Sequence, residues 1–109
     1  MIFEILKIAS QNPLGFTFNI ETKELVTTGG WVIAYQETQD SFGKDGLESC
    51  LEHAKKHQKL IGGWLNEENQ QYYFDSVMLI KDREEAIRQG LKHKQIGIYH
   101  LETGEYLPI

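Results

Sequence analysis

The chain repeats one pattern twice in succession: an apolar run, a helix with an acidic start, and a second apolar run. Asp45 and Asp82 each stand three residues before a glutamate, a spacing that favours a capped helix start. We therefore expect two consecutive strand–helix–strand units whose helices begin at these aspartates. The four apolar runs span residues 31–35, 60–65, 74–80 and 96–101.

The two units fit one α+β domain that takes in all 109 residues. Only about five polar residues, 66–70, separate the second and third runs, a length typical of a hairpin between antiparallel neighbours. With right-handed crossovers, this order predicts the split β-α-β, or ferredoxin-like, arrangement βαββαβ. That arrangement is a four-stranded antiparallel sheet with two helices on one face.

The two ends of the chain add to this plan. Alternating apolar residues in 16–20, followed by a turn and then 25–26, predict an added N-terminal hairpin. Residues 1–11 satisfy neither the helical nor the strand period cleanly, so a short helix and an edge strand both stay open. Gly104 is expected to turn the tail back as a further edge strand.

The strands carry more apolar side chains than one covered sheet face needs. The third run has Phe74, Met78 and Ile80 on one side and Tyr73, Val77 and Leu79 on the other. Since exposed apolar patches of this size are uncommon on monomers, we expect residues 1–28 to fold over the second face. A partner surface, for another protein or a second copy, is the alternative. On the other strands, the positions suited to packing against helices are Val32, Ala34, Ile96 and Ile98.

Composition narrows the class of partner and the compartment. The net charge of −5 argues against a broad phosphate-binding surface, so nucleic acid is not an expected partner. A single cysteine excludes an internal disulfide. The apolar start, residues 1–9, carries Glu4, lacks a basic beginning and is too short to cross a bilayer. We expect a cytoplasmic protein that does not contact a membrane.

One group of residues has metal-ligand chemistry. Cys50, His53 and His57 stand at i, i+3 and i+7, close to one helix face, and a thiolate with two imidazoles suits zinc. Cys50 also belongs to the apolar stripe of that helix, and no fourth ligand lies nearby in the sequence. We therefore favour a core cysteine with two surface histidines, and expect neither metal nor cofactor, while metal binding stays open.

The loop 36–43 is longer than a helix connection needs and is dense in hydrogen-bonding groups. Such loops often carry binding function, although a solvated connection explains the same composition. Together with the aromatic strand positions, the loop supplies the residues predicted to meet a partner: Trp31, Tyr35, Glu37, Gln39, Ser41, Trp64, Tyr73 and Tyr99.

Four segments together resemble a known group of proteins: Tyr35 to Gly43, Gly62-Gly63-Trp64, Tyr73 to Val77, and Glu85-Ala86. In order and spacing they are similar to small uncharacterised proteins of Bacteroidetes mobile elements, and to modules of large phage and plasmid polyvalent proteins. The resemblance spans roughly residues 14–101 and brings no established catalytic residues with it. It implies accessory work for a bacterial mobile element, such as binding a host or element-encoded protein.

Two functions of different classes follow. The first is a non-enzymatic module that binds another protein through its aromatic sheet face or the 36–43 loop. It rests on the surplus of apolar strand positions and on the lack of a recognisable catalytic constellation. The second is a small-ligand sensor or modest hydrolase in which Glu37, Asp40 and His100 supply the polar groups.

Overall fold

The computed structural model describes residues 1–109 and contains three helices, eight strands and a 3₁₀ turn at Gln36–Thr38. The helices are α1 (Ile2–Gln11), α2 (Gly43–Lys55) and α3 (Arg83–Lys92). The strands are β1 (Phe16–Asn19), β2 (Glu24–Leu25), β3 (Trp31–Ala34), β4 (Ser41–Phe42), β5 (Leu60–Asn66), β6 (Gln71–Ile80), β7 (Gly97–His100) and β8 (Tyr106–Pro108).

All eight strands join one antiparallel sheet in the order β2-β1-β5-β6-β3-β7-β8, and β4 pairs with β6 beyond the end of β3. This confirms the α+β class and the antiparallel sheet. The four-stranded ferredoxin-like arrangement with two helices is not confirmed, because the sheet has eight strands in this longer order and α1 adds a third helix.

The helices all pack on one face of the sheet, which we call the helix face. In β6 this face receives Phe74, Ser76 and Met78, since side chains alternate along a strand. Phe74 packs with Leu47 and Cys50 of α2, while Met78 packs with Ala86 of α3. The predicted division of β6 into two apolar sides is confirmed. The opposite side of the sheet, the open face, carries Tyr73, Asp75 and Val77.

The face assignment predicted for β3 is wrong. Trp31 and Ile33 are buried on the helix face, whereas Val32 and Ala34 line the open face. The register explains it, because Ile33 pairs with Met78, which packs under α3. For the last strand, burial of Ile98 was predicted correctly, but Ile96 precedes β7 and is 82% exposed.

Residues 1–28 do not cover the open face, contrary to expectation. Residues 2–11 form helix α1, which buries Ile5 and Ala9 in the helix-face core beside α2. The predicted N-terminal hairpin is confirmed as β1 and β2, but it extends the sheet rather than folding over it. Of this segment, only residues around 12–17 and 25–27 contribute to the open face, on its β1–β2 side. The N-terminal apolar residues are thus used on the side that already has helices.

The two predicted helix starts have different outcomes. Asp82 precedes α3, and its side chain accepts a hydrogen bond from the Glu85 amide at 2.8 Å, as predicted. Asp45 is not a cap, because α2 begins two residues earlier, at Gly43. Gly43 has φ +67°, a left-handed conformation that lets the chain turn directly from β4 into the helix. This close turn moves the helix start upstream.

The predicted turns are confirmed at two places. Residues 66–70 connect β5 and β6, which pair antiparallel from Leu60–Val77 to Asn66–Gln71. Gly104, with φ +73°, lies in the turn that returns β8 onto β7. The tail is therefore an edge strand.

We predict that Asp82→Ala lowers the free energy of unfolding by about 1 kcal/mol, because it leaves the Glu85 amide without its acceptor. Urea denaturation at pH 7 measures the change. Asp45→Ala is the matched control and should cost only about 0.3 kcal/mol, the contribution of an acidic residue in a first helical turn. Equal losses for both variants would contradict the assignment of Asp82 as the cap.

Candidate functional site

The open face presents a row of exposed aromatic side chains at the end near the β5–β6 turn. Phe42, Tyr73 and Trp64 lie on adjacent strands, since Phe42 pairs with Tyr73 and Tyr73 with Trp64. Their ring centroids are 5.6 Å and 5.5 Å apart, at the distance of favourable aromatic pairs. Phe42 is 52% and Trp64 44% exposed. We call these three residues the aromatic row.

A groove of about 560 Å³ adjoins the aromatic row and crosses the open face. Leu14, Gly15 and Leu25 line it at the β1–β2 end, and Tyr99 and Tyr106 line it at the β7–β8 end. Its central lining comes from Thr17, Val32, Ala34, Gly62, Asp75 and Val77. Since the helices pack on the other side of the sheet, no second layer of structure covers this groove.

Asp75 is the one ionisable group among the central residues of the groove. Burial, and to a smaller extent the neighbouring charge of Asp40, together raise the pKa of this carboxyl to about 6. No hydrogen bond or cation offsets that effect. An ionised Asp75 therefore costs the folded protein free energy, and a positive group placed in the groove would recover it.

A second polar cluster lies at the C-terminal ends of α2 and α3, where the Tyr35 ring contacts three imidazoles. The centroids of His53 and His57 are each 4.7 Å from that of Tyr35, and the centroid of His93 is 5.2 Å away. His53 and His57 stack in parallel at 3.7 Å. Glu37 Oε2 lies 3.4 Å from His53 Nε2. We call these five residues the histidine cluster.

Ser76, His53 and Glu37 contact one another in the order of a catalytic triad. Ser76 Oγ lies 2.8 Å from His53 Nδ1, and His53 Nε2 faces the Glu37 carboxylate. The burial is the reverse of what nucleophilic catalysis needs, because Ser76 is fully buried while the Glu37 side chain is 58% exposed. A substrate therefore has no path to the hydroxyl, and the contacts fix α2 on the sheet.

The structure separates the residues considered for zinc. Cys50 is fully buried in the helix-face core, where burial raises the pKa of its thiol to about 11. His53 and His57 instead stack beside Tyr35. No group of three or more histidine, cysteine, aspartate or glutamate side chains has an arrangement that could hold a metal ion.

A small hollow beside the start of β3 is occupied by the chain itself. The amides of Gly29 and Gly30 donate to Glu102 Oε1 at 3.0 Å and 2.9 Å. These hydrogen bonds hold the pKa of Glu102 below its usual range. Lys81 and His100 line the same hollow. The carboxylate thus ties the turn after β7 to the chain that precedes β3.

The structure distributes the predicted partner-binding residues over four places. Trp64, Tyr73 and Tyr99 lie on the open face, while Tyr35 and Glu37 belong to the histidine cluster. Gln39 is exposed, and Ser41 donates to the Thr38 carbonyl at 2.7 Å. Trp31 cannot meet a partner on the open face, because it is buried on the helix face with only 4% exposed.

Sequence reasoning missed four residues of the open face: Phe42, Gly62, Asp75 and Tyr106. The alternation of β6 could have revealed Asp75, which stands between Tyr73 and Val77 on the same side of the strand. Phe42 and Tyr106 depend on the short pairings of β4 and β8, which carry little pattern of their own. Gly62 depends on the β5 register.

No protein-family model matches the chain, and no match was found among curated proteins or solved structures. None of the three helices has the length and apolar character needed to cross a membrane.

We predict that Asp75→Asn stabilises the protein at pH 8 but not at pH 4. In the unfolded chain the carboxyl ionises near pH 4, whereas in the fold it keeps its proton to about pH 6, so stability falls as pH rises between those values. The variant should gain on the order of 2 kcal/mol at pH 8 in urea denaturation. Glu24→Gln, on exposed β2, is the control. A gain that is equal at both pH values would contradict this explanation.

We also predict that His53 titrates below the ordinary histidine value of about 6.5 in an NMR titration. Burial lowers its pKa first, and the neighbouring His57 lowers it further. The contribution of neutral His53 to stability is therefore present above pH 6.5 and is lost as pH falls. His57→Gln should raise the His53 pKa, while His100→Gln, which lies outside the cluster, should leave it unchanged. A His53 pKa that does not respond to His57→Gln would refute the coupling.

Proposed function

We propose that the protein is a non-enzymatic interaction module that binds an extended segment of another protein across its open sheet face. The observation that carries the proposal is the uncovered groove beside the aromatic row, lined by apolar and aromatic side chains on a sheet whose helices all pack on the other side. Large contiguous apolar patches on the surface of a protein often mark binding sites.

The dimensions of the groove favour a polypeptide over a small ligand. Twenty-one residues line it, close to the 20–30 that each side of a standard protein interface contributes. From β1 to β8 it crosses five inter-strand spacings, or roughly 24 Å. An extended segment of about seven residues covers that distance. Trp64, Tyr99 and Tyr106, each about half exposed, are the aromatic residue type that dominates interface energetics.

A second copy of the chain is a poor occupant for the groove. A two-fold interface would set the same surface against itself, and two concave grooves that face each other leave a void between them. It would also bring two Asp75 carboxyls into one apolar interface, with no cation to balance them. A convex segment of a different protein avoids both penalties.

The groups considered for a small-ligand sensor or a hydrolase have different neighbours in the fold. Glu37 contacts His53, whereas His100 packs edge-on against Trp31 with ring centroids 4.8 Å apart. Asp40 lies in the turn before β4, and its charge contributes to the raised pKa of Asp75. With Ser76 buried as well, a catalytic role has less support than binding.

We infer that β3, β5, β6 and β7, with α2 and α3, constitute a ferredoxin-like unit inside the larger sheet. The adjacency β5-β6-β3-β7 and the antiparallel pairing of all neighbours support this interpretation. On that interpretation β1, β2 and β8 are additions that widen the open face on both sides.

We propose further that this binding serves a bacterial mobile element, with a host or element-encoded protein as partner and the cytoplasm as compartment. The support is the resemblance carried by residues 35–43, 62–64, 73–77 and 85–86. Two of these segments, 62–64 and 73–77, supply Gly62, Trp64, Tyr73 and Asp75 of the open face.

Selection of displayed random twelve-residue peptides against the purified chain tests the binding function. Recovered peptides should lose at least about tenfold in affinity for Trp64→Ser, the loss expected when a central aromatic anchor is removed. Leu91→Ser is the matched control, since Leu91 is 56% exposed on α3, away from the open face.

Peptides that bind Trp64→Ser as well as wild type, or failure to recover any peptide, would refute the proposal. Light scattering after size exclusion at several concentrations should give a monomer throughout. A concentration-dependent dimer that Trp64→Ser abolishes would instead assign the open face to a second copy.

A further inference from the structure

The centre of the groove contains a hollow above Gly62. This glycine lies inside β5, between Thr17 of β1 and Asp75 of β6. A Cβ atom built on it would meet only Val77 Cγ1 at 3.1 Å and the Phe16 carbonyl oxygen at 3.8 Å. The Val77 side chain therefore closely borders the space above Gly62, while Gly62 itself adds no side chain between Thr17 and Asp75.

The hollow has one charged wall and no charge to balance it. Asp75 stands on one side of Gly62 and Thr17 on the other. The charged group that acts on Asp75 is the acidic Asp40, which repels its ionised form, and the chain as a whole has a net charge of −5. A cation in the hollow would thus be attracted both by the Asp75 carboxylate and by the net negative charge of the protein.

The two residues that flank the hollow suit the methylene groups and the charged end of a long cationic side chain. Trp64 and Val77 stand on the open face one row to either side of the Gly62–Asp75 pair, at about 7 Å along the strands. Val77 is apolar and packs against methylene groups, while an indole ring attracts a nearby cation.

We propose that the hollow above Gly62 is a subsite for the lysine or arginine side chain of the bound segment, with the Asp75 carboxylate as its counter-ion. This inference rests on the proposed function for the identity of the bound molecule, but the subsite itself has chemistry that can be tested separately.

NMR titration of the ¹⁵N-labelled chain with two capped tripeptides tests the charge. The probes are acetyl-Ala-Lys-Ala-amide and acetyl-Ala-norleucine-Ala-amide, which differ in the ammonium group. At pH 7.5 the lysine peptide should bind about tenfold more tightly and shift the amides of Gly62 and Asp75, as a charge-assisted hydrogen bond predicts. At pH 4.5, below the Asp75 pKa of about 6, the two peptides should bind equally.

Two variants separate the charge of the subsite from its volume. Asp75→Asn should reduce the ratio of the two affinities, lysine peptide to norleucine peptide, to about one. Asp45→Asn changes an acidic residue in the first turn of α2 and should leave this ratio unchanged. Gly62→Ala fills the hollow and should weaken both peptides together. Asp75→Asn is expected to fold, since it removes a destabilising charge, and its amide spectrum verifies this.

Equal binding of the two peptides at pH 7.5, or an unchanged ratio in Asp75→Asn, would overturn the subsite. n-Butylammonium chloride is the third probe: if it binds as tightly as the lysine peptide, the site takes free amines and the assignment to a protein segment is wrong. If displayed peptides need Trp64 but contain no basic residue, the interaction function stands and the subsite alone fails. If the lysine peptide binds while display recovers nothing, the subsite stands without the function.

Discussion

The alternation of side chains along β6 is the constraint on which the rest of the structure depends. This ten-residue strand pairs with β5, β3 and β4, so its register fixes which side of each neighbour faces the helices. A shift of the register by one residue would turn Phe74 and Ser76 away from the helix face and bring Asp75 onto it. A carboxyl would then lie in the helix-face core without a partner. The burial preference of a few β6 residues therefore decides which side of the sheet the helices cover and which side stays open.

The concentration of all three helices on one side explains the contrast between the two faces. On the helix face, polar groups that enter the interior are paired, as Ser76 is with His53 Nδ1 and as the Ser76 amide is with Thr38 Oγ1 at 2.9 Å. No buried side-chain polar atom lacks a hydrogen-bond partner. On the open face the Asp75 carboxyl, which is partly exposed, makes no hydrogen bond within the chain. A carboxyl that lowers stability at neutral pH fits a site whose partner group comes from another molecule.

Local chemistry was enough to predict some elements, while others depend on distant contacts. The α3 cap and the hairpins can be predicted from sequence because an Asp–Glu spacing or a short polar turn acts within a few residues. The start of α2 was missed because Gly43 turns directly from a two-residue strand that exists only by pairing with β6. The histidine cluster joins residues 35 to 93, so no spacing along the chain reveals it. The face of Trp31 was likewise set by its pairing with Ile80, not by its own strand.

The ends of the sheet restrict how another chain can attach to it. One edge is β2, which has two residues, and the other is β8, which has three and ends in a proline without an amide hydrogen. Short edges and proline are features by which sheet proteins discourage the addition of a further strand from another molecule. Backbone pairing at the perimeter is therefore limited for this fold. A chain that associates with the sheet therefore gains little from backbone pairing at its edges and depends more on side chains that pack on the sheet surface, which makes recognition depend on the sequence of that chain.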